Sequence, residues 1–429
     1  MKKNLLFSIF IILLSGCNKN NDISCNYDEM RLEQSVTISP EEAIMSLKSF
    51  VNIHNDVTTK SSEIIDFNVC DIEAIGAKEL SIKTKAYENS IPDTLFYIAN
   101  LNDGYAILSG NRELDCDVFC ITESGELHSE DFASAYDFLV SDNFVKSSDA
   151  NDEFIEMGPK IVPAILLSSI LNDYQLRTVA KSNSTDTDID GNGNLKTETS
   201  LSGTKYGPYL KTKWTNSKMA PFNSYTPNNA YPGCVAIAVA QIMEYNKKSN
   251  TMVFNGVTCN WNTMETVCNY TSINNIGTVS AQKQVGNFIY ELGKRRNCYV
   301  RYDNSSWAVA DGAKRTLKNY GYNNVTKRIG FASGDEKKVT EQIKAGRPVY
   351  MGGCTSGSTS NGHAWVIDGL IGDYYHINWG WHGKSDGYYR IGVFTTSSRS
   401  AVDSIIDANV NGKQDAAYTW TYRIVLYSL

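Results

Sequence analysis

Pro232-Gly233-Cys234-Val235-Ala236-Ile237-Ala238-Val239-Ala240-Gln241-Ile242-Met243-Glu244-Tyr245 places a cysteine at the mouth of a small-residue apolar helix. Proline and glycine do not continue a helix backwards, so the first turn begins at or beside Cys234, and its unpaired backbone N–H groups converge on the sulfur. These donors and the positive end of the helix favour thiolate over thiol. They also suit the oxyanion of an attacked carbonyl. The plain alternative is a small hydrophobe packed into a core, since free cysteine is among the most buried residue types. A base decides between the two, because a nucleophilic cysteine needs an imidazole to take its proton and return it to the leaving group.

The chain has only five histidines. His54 and His128 lie far upstream, leaving His363, His376 and His382. His363 follows a glycine-rich stretch (Gly352, Gly353, Gly357, Gly362) and opens the run Ala364-Trp-Val-Ile-Asp368-Gly369, which reads as a central strand. His376 lies in Asp373-Tyr-Tyr-His-Ile-Asn378-Trp379, a second strand pairing antiparallel with the first through Ile371-Gly372-Asp373. A period of two puts His376 and Asn378 on one face, Ile377 and Trp379 on the other. His382 sits in a loop. On spacing alone His363 and His376 compete.

Three motifs in register carry a family resemblance: Gly233-Cys234-Val-Ala-x-Ala-x-Ala-Gln241-Ile-Met, Gly362-His363-Ala-x-Val-Ile-Asp368-Gly369, and Tyr375-His-Ile-Asn378-Trp379-Gly380-Trp381-x-Gly383-x-Ser385-Asp386-Gly387. The sequence resembles the streptopain family of papain-like cysteine peptidases. The resemblance implies Cys234 as nucleophile, His363 as general base, Asn378 as the amide that orients the imidazole, and Trp379 as a shield over that contact. An oriented ring keeps one tautomer and aims the accepting nitrogen at sulfur. One departure stands out. Papain-like sites commonly take a side-chain amide for the oxyanion hole from just before the nucleophile, where this chain reads Thr226-Pro-Asn228-Asn229-Ala-Tyr-Pro-Gly with no glutamine. Asn228 and Asn229 are the candidate side-chain donors, and the backbone N–H of Cys234 is the main one.

Met1-Lys2-Lys3 and the apolar run Leu5 to Leu14 read as a signal peptide over residues 1–16, with an apolar stretch too short to span a bilayer. Leu14-Ser15-Gly16-Cys17 resembles a bacterial lipobox. It implies lipidation of Cys17, anchoring to an outer membrane or cell surface, and a polar tether over 17–38. The net charge of −7 is scattered, which argues against a nucleic-acid partner. Of ten cysteines, Cys25, Cys70, Cys116, Cys120, Cys259, Cys268, Cys298 and Cys354 remain after Cys17 and Cys234, and spacing leaves their pairing open. Cys116 and Cys120 lack nearby second ligands, so no metal or cofactor is expected.

Ser39-Pro-Glu-Glu-Ala43-Ile-Met45-Ser-Leu47-Lys-Ser-Phe50 begins with an N-cap and an acidic first turn, and predicts a helix with Ala43, Met45, Leu47 and Phe50 on overlapping faces. Strands are predicted at 94–100, 104–110 and 117–122, the first two joined by a hairpin turn. In the resembled family a helix and antiparallel sheet of this kind form a pro-domain that occludes the cleft, which assigns 39–180 to an intramolecular inhibitor. An independent binding domain would read no differently. Lys181 to Gly203 is polar and reads as a cleavable linker. Within it Asp186-x-Asp188-x-Asp190-Gly191 begins like a calcium loop but has Thr197 at the twelfth position, so solvated linker is the better account.

Beyond Cys234, helices are predicted around 285–292, 309–317 and 335–345, then a strand at 348–351 and alternating strands to the end. The expected class is α+β, with a papain-like catalytic domain over 204–429. Its helical half would carry the thiol and its antiparallel sheet His363 and Asn378. The predicted function is that of an exported cysteine endopeptidase made as a zymogen and acting on protein or peptide substrates through a thioester. Two other readings are a papain-like cell-wall amidase and a catalytically silent binding lipoprotein.

Overall fold

A computed structural model describes residues 36–57, 68–81, 91–114, 116–140, 157–183, 204–249, 252–302, 306–355, 362–394 and 420–429. The signal and lipobox segment, the calcium-like run and most of the linker lie outside them. The chain from Val36 onward forms one compact unit.

The first helix, Pro40–Val57, starts where its sequence says it should. Ser39 Oγ accepts from the Glu42 N–H at 3.2 Å, while Glu42 Oε2 accepts from the Ser39 N–H at 2.9 Å, so two orphan donors of the first turn are satisfied reciprocally. Ala43, Leu47, Phe50 and Val51 are buried. Met45 is 66% exposed, because it falls outside the stripe those four define.

Strands β1 (Val69–Ile75), β2 (Phe96–Leu101), β3 (Tyr105–Ser109) and β4 (Val118–Thr122) follow, then helices Ser129–Val140 and Met157–Asn183. Neither of these helices was foreseen, and the second carries residues 181–183, which the sequence assigns to linker. After the linker come the helix Cys234–Asn246, the short strands β5 (Val253–Phe254) and β6 (Val257–Thr258), and helices Trp261–Glu265, Val279–Gly293 and Ala310–Asn319. The remainder is β7 (Asn323–Ile329), helix Ser333–Lys344, β8 (Val349–Thr355), β9 (Gly362–Ile371), β10 (Tyr374–Asn378), β11 (Gly387–Arg390) and β12 (Trp420–Ser428). The class is α+β.

Ten strands form one antiparallel sheet in the order β1-β2-β3-β4-β11-β10-β9-β8-β12-β7. Upstream and downstream parts meet at β4 and β11, through the pairs Gly387↔Thr122, Tyr388↔Ile121 and Tyr389↔Cys120. Alternation along β9 divides the core: Trp365 and Ile367 join Phe132, Ile165, Phe394 and Tyr422 in one cluster, while Ala364 and Val366 pack with the Cys234 helix in another. A third cluster places Phe50 of the first helix against Tyr374 and Tyr388 of the downstream strands. Both faces of the sheet are therefore covered by elements from both sides of the linker.

Candidate active site

The Cys234 helix begins at its cysteine because Gly233, with φ 93° and ψ 121°, takes a conformation that L side chains rarely adopt. A Cβ there would also lie 2.9 Å from Val300 Cγ1. No side chain caps the helix, which leaves its first N–H groups to the sulfur. Residues Val235 to Glu244 are all buried, and the alanines at 236, 238 and 240 let the helix lie close on β8 and β9.

Cys234 itself is only partly buried. Burial pushes its thiol up from the ordinary value, and the backbone N–H groups of Ala364, Val235 and Cys234 pull it only part of the way back. The sequence argument for a thiolate is corrected here: desolvation outweighs the helix terminus in the intact chain. The sulfur nevertheless lies against the amide of the residue that follows His363.

His363, near the start of β9, is 6% exposed. Its Nε2 lies 2.7 Å from the carbonyl oxygen of Trp379. A carbonyl only accepts, so Nε2 carries the proton of the neutral ring and Nδ1 keeps its lone pair. The ring stacks on Trp381 with centroids 4.5 Å apart and planes 23° apart. Burial lowers the imidazole to about 4, against the Trp379 carbonyl, which favours its charged form. Among the described residues no hydrogen bond joins Cys234 to His363. The chain thus holds a neutral thiol and a neutral imidazole with no hydrogen bond between them.

Among the described residues Asn378 makes no hydrogen bond to that ring. Its Oδ1 accepts from Gln241 Nε2 at 2.9 Å and from the Gly380 N–H at 3.1 Å, and its Nδ2 donates to the Thr212 carbonyl at 3.1 Å. A bulge between His376 and Ile377 interrupts the strict alternation assumed for β10. The orienting group on His363 is instead the main-chain carbonyl of Trp379, a residue that is itself 1% exposed and stacked on Trp381 at 5.4 Å. Asn228 and Asn229 sit exposed on a single turn, Pro227–Asn229, with φ of 54° and 50°, and among the described residues their side chains make no hydrogen bond. The preceding residue that does reach the site is Asn216, whose Oδ1 accepts the Gly233 N–H at 2.7 Å. It lies too far upstream in sequence to be found by searching just before the nucleophile.

The remaining histidines are held elsewhere. His376 is buried between Asp368 (2.6 Å to Nδ1) and Glu123 (3.0 Å to Nε2). Burial opposes its charge, but the two carboxylates prevail and raise it to about 10. His54 packs edge-on to Tyr388, with centroids 5.0 Å apart, and burial lowers it to about 4. His128 pairs with Glu73 at 2.9 Å, and His382 occupies a left-handed loop position.

Comparison with known proteins bears on this same segment. Residues 214–389 match the model of the Peptidase C10 family. Streptopain of Streptococcus pyogenes is 30% identical over 201 residues, covering 41% of this chain and 49% of that one. This segment is similar to the streptopains. The chain spans about half the length of the curated streptopains it matches, 49%. The thiol protease/hemagglutinin PrtT of Porphyromonas gingivalis is 27% identical over 213 residues, 42% of this chain and 23% of that one. A fragment of prointerpain A from Prevotella intermedia covers 77% of this chain and 94% of its own, at 18% identity and a TM-score of 0.49. The matched segment begins at Trp214 and ends at Tyr389, and so takes in Cys234, His363, Asn378 and Trp379.

Proposed function

We propose that the protein is a cysteine endopeptidase acting on proteins or peptides. The observation that carries this is the Cys234 helix terminus lying on β9 at Ala364, next to an imidazole whose Nε2–H is held by Trp379, inside the segment similar to the streptopains. Cys234 attacks the scissile carbonyl, the free first-turn amides receive the oxyanion, and His363 takes the thiol proton through Nδ1 and gives it to the leaving amine. His363 then activates water against the thioester.

The intact chain is a zymogen in this reading. A raised thiol, a lowered imidazole and no hydrogen bond between them describe a resting pair, and the upstream part is fixed to the histidine-bearing sheet through β4. Removal of that part lets the two groups engage. Export with a lipid on Cys17, and attachment to an outer membrane or cell surface, extend the proposal on the strength of residues 1–17 alone.

The purified chain and its Cys234→Ala variant are incubated with casein and with an epoxysuccinyl probe, and the N-terminus of any active species is sequenced. Hydrolysis with an adduct on the Cys234 peptide, both absent in the variant, is expected. No adduct and no hydrolysis overturn the peptidase assignment, full activity of the unprocessed chain overturns latency, and clearing of a cell-wall gel without clearing of gelatin redirects the assignment to an amidase.

A further inference from the structure

The residue that holds the imidazole is itself held. Trp379 accepts from His363 through its carbonyl, and its own N–H donates to Asp386 Oδ1 at 2.8 Å. The other oxygen of Asp386, Oδ2, accepts from Lys213 Nζ at 3.0 Å. Asp386 is completely buried, and the Lys213 side chain is 10% exposed. A loop of six residues from Gly380 to Ser385 separates Trp379 from Asp386 in sequence, with left-handed φ at Gly380, His382, Gly383 and Ser385. The Asp386 N–H bonds back to the Gly383 carbonyl at 3.1 Å and closes the loop. The segment carrying Lys213 is fastened to the same loop, since the Asn216 N–H donates to the Gly380 carbonyl at 2.8 Å.

We propose that Asp386 and Lys213 are positioning residues for His363: the buried ion pair anchors the Trp379 backbone at its N–H, one peptide unit before the carbonyl that accepts from the ring, and so helps keep the proton on Nε2 and leave Nδ1 as the base. This rests on the reading of Cys234 and His363 as the reacting pair. The physical reason lies in the donor and acceptor roles. An ionised Asp386 only accepts, so it can hold the Trp379 N–H and Lys213 together, and Lys213 keeps it ionised in a site that would otherwise protonate it. Without the lysine, the acid gains a donor proton, the anchor on the Trp379 N–H loosens, and the following carbonyl and the ring tautomer become free to change. The other charges facing the pair are Glu123, 3.2 Å from Lys213 Nζ, and beyond it His376 with Asp368. Glu123 belongs to the upstream part, so the same lysine serves both halves of the chain.

The test is a nitrogen-15 imidazole spectrum of the full chain, in which His363→Ala assigns one of only five histidines. The parent should show His363 as a single Nε2–H tautomer with slow ring-proton exchange. Asp386→Asn and Lys213→Met should mix the tautomers and speed that exchange about tenfold or more, and Lys213→Arg should restore the parent behaviour. In the active form the same two variants should lower kcat about tenfold or more with KM within about threefold. Unchanged tautomer and exchange in both variants overturn the inference, as does Lys213→Arg behaving like Lys213→Met. Loss of cooperative unfolding in both variants also overturns it, since the pair then holds the fold and not the ring. If the spectra behave as expected while the parent cleaves no peptide, the peptidase reading fails and the assignment of the ring stands.

Discussion

Cys234 and His363 pay for their burial in opposite directions, and the consequence can be measured. The imidazoles of His363 and His54 are both lowered to about 4 by burial, whereas that of His376 is raised to about 10 by Asp368 and Glu123. Between about pH 4 and 6.5 the unfolded chain binds more protons at the first two sites, so their stabilisation is complete above 6.5 and is lost on acidification. For His376 the folded chain binds more, so its stabilisation is complete below 6.5 and drains as pH rises through 10. Urea unfolding of the Cys234→Ala chain should therefore give a maximum near neutrality. His54→Phe, which keeps an apolar ring against Tyr388, should flatten the acid limb by up to about 3 kcal/mol between pH 7 and pH 4, an order-of-magnitude figure from the size of the shift. An acid limb identical in parent and variant would refute the assignment of a buried neutral imidazole.

At the scale of elements, Gln241 shows what the sequence made legible and what it hid. A lone amide in an apolar helix, seven residues after Cys234, requires a partner, and that demand was readable. Its partners were not, because they come from two other segments: Oε1 accepts from Thr212 Oγ1 at 3.0 Å and from the Trp214 N–H at 3.1 Å, while Nε2 donates to Asn378 at 2.9 Å. Asn378 thus joins the helix to β10 and, by accepting from the Gly380 N–H, holds the peptide unit whose Trp379 carbonyl accepts from His363. Gln241→Leu should strip these bonds, leave buried polar groups unpaired and cost about 3 kcal/mol in urea denaturation, with a loss under 1 kcal/mol showing that the network is not structural. The same contrast runs through the fold. The Ser39 cap, the β2–β3 hairpin with Gly104 at φ 96°, and the helix at Cys234 are local and were legible. The helix Met157–Asn183 was not, because Ile161, Val162, Ile165, Leu166 and Ile170 find their cover in the helix Ser129–Val140 and the downstream turn Ile391–Phe394, a long-range match that no window of sequence contains. Asn216 escaped for the same reason.

For the whole molecule, the joint between β4 and β11 changes what a cut in the linker can do. Either side of residues 184–203 contributes to one sheet and one core: Phe132, Leu166 and Ile170 pack in the same cluster as Trp365, Phe394 and Tyr422. Tyr374 Oη donates to the Val118 carbonyl at 2.7 Å, Phe50 meets Tyr374 edge-on at 4.8 Å, and Glu123 bridges Lys213 and His376 at 3.2 and 3.0 Å. Several large buried side chains contribute roughly 1.5–3 kcal/mol each, so their sum exceeds the few kcal/mol that tethering supplies. Scission of the linker alone is expected to leave the two pieces bound. A protease site inserted between residues 190 and 191 of the Cys234→Ala chain, cut to completion and passed over a sizing column, should elute as one species of the parent's size. It should separate only in denaturant, or more readily in Glu123→Gln, where the carboxylate between Lys213 and His376 is lost. Separation in plain buffer would mean that the shared core is weaker than its buried area implies. Co-elution would mean that a cut in the linker leaves β4 on the edge of β11, so that relieving the loop carrying Trp381 and Asp386 of Glu123 requires digestion of the upstream part itself.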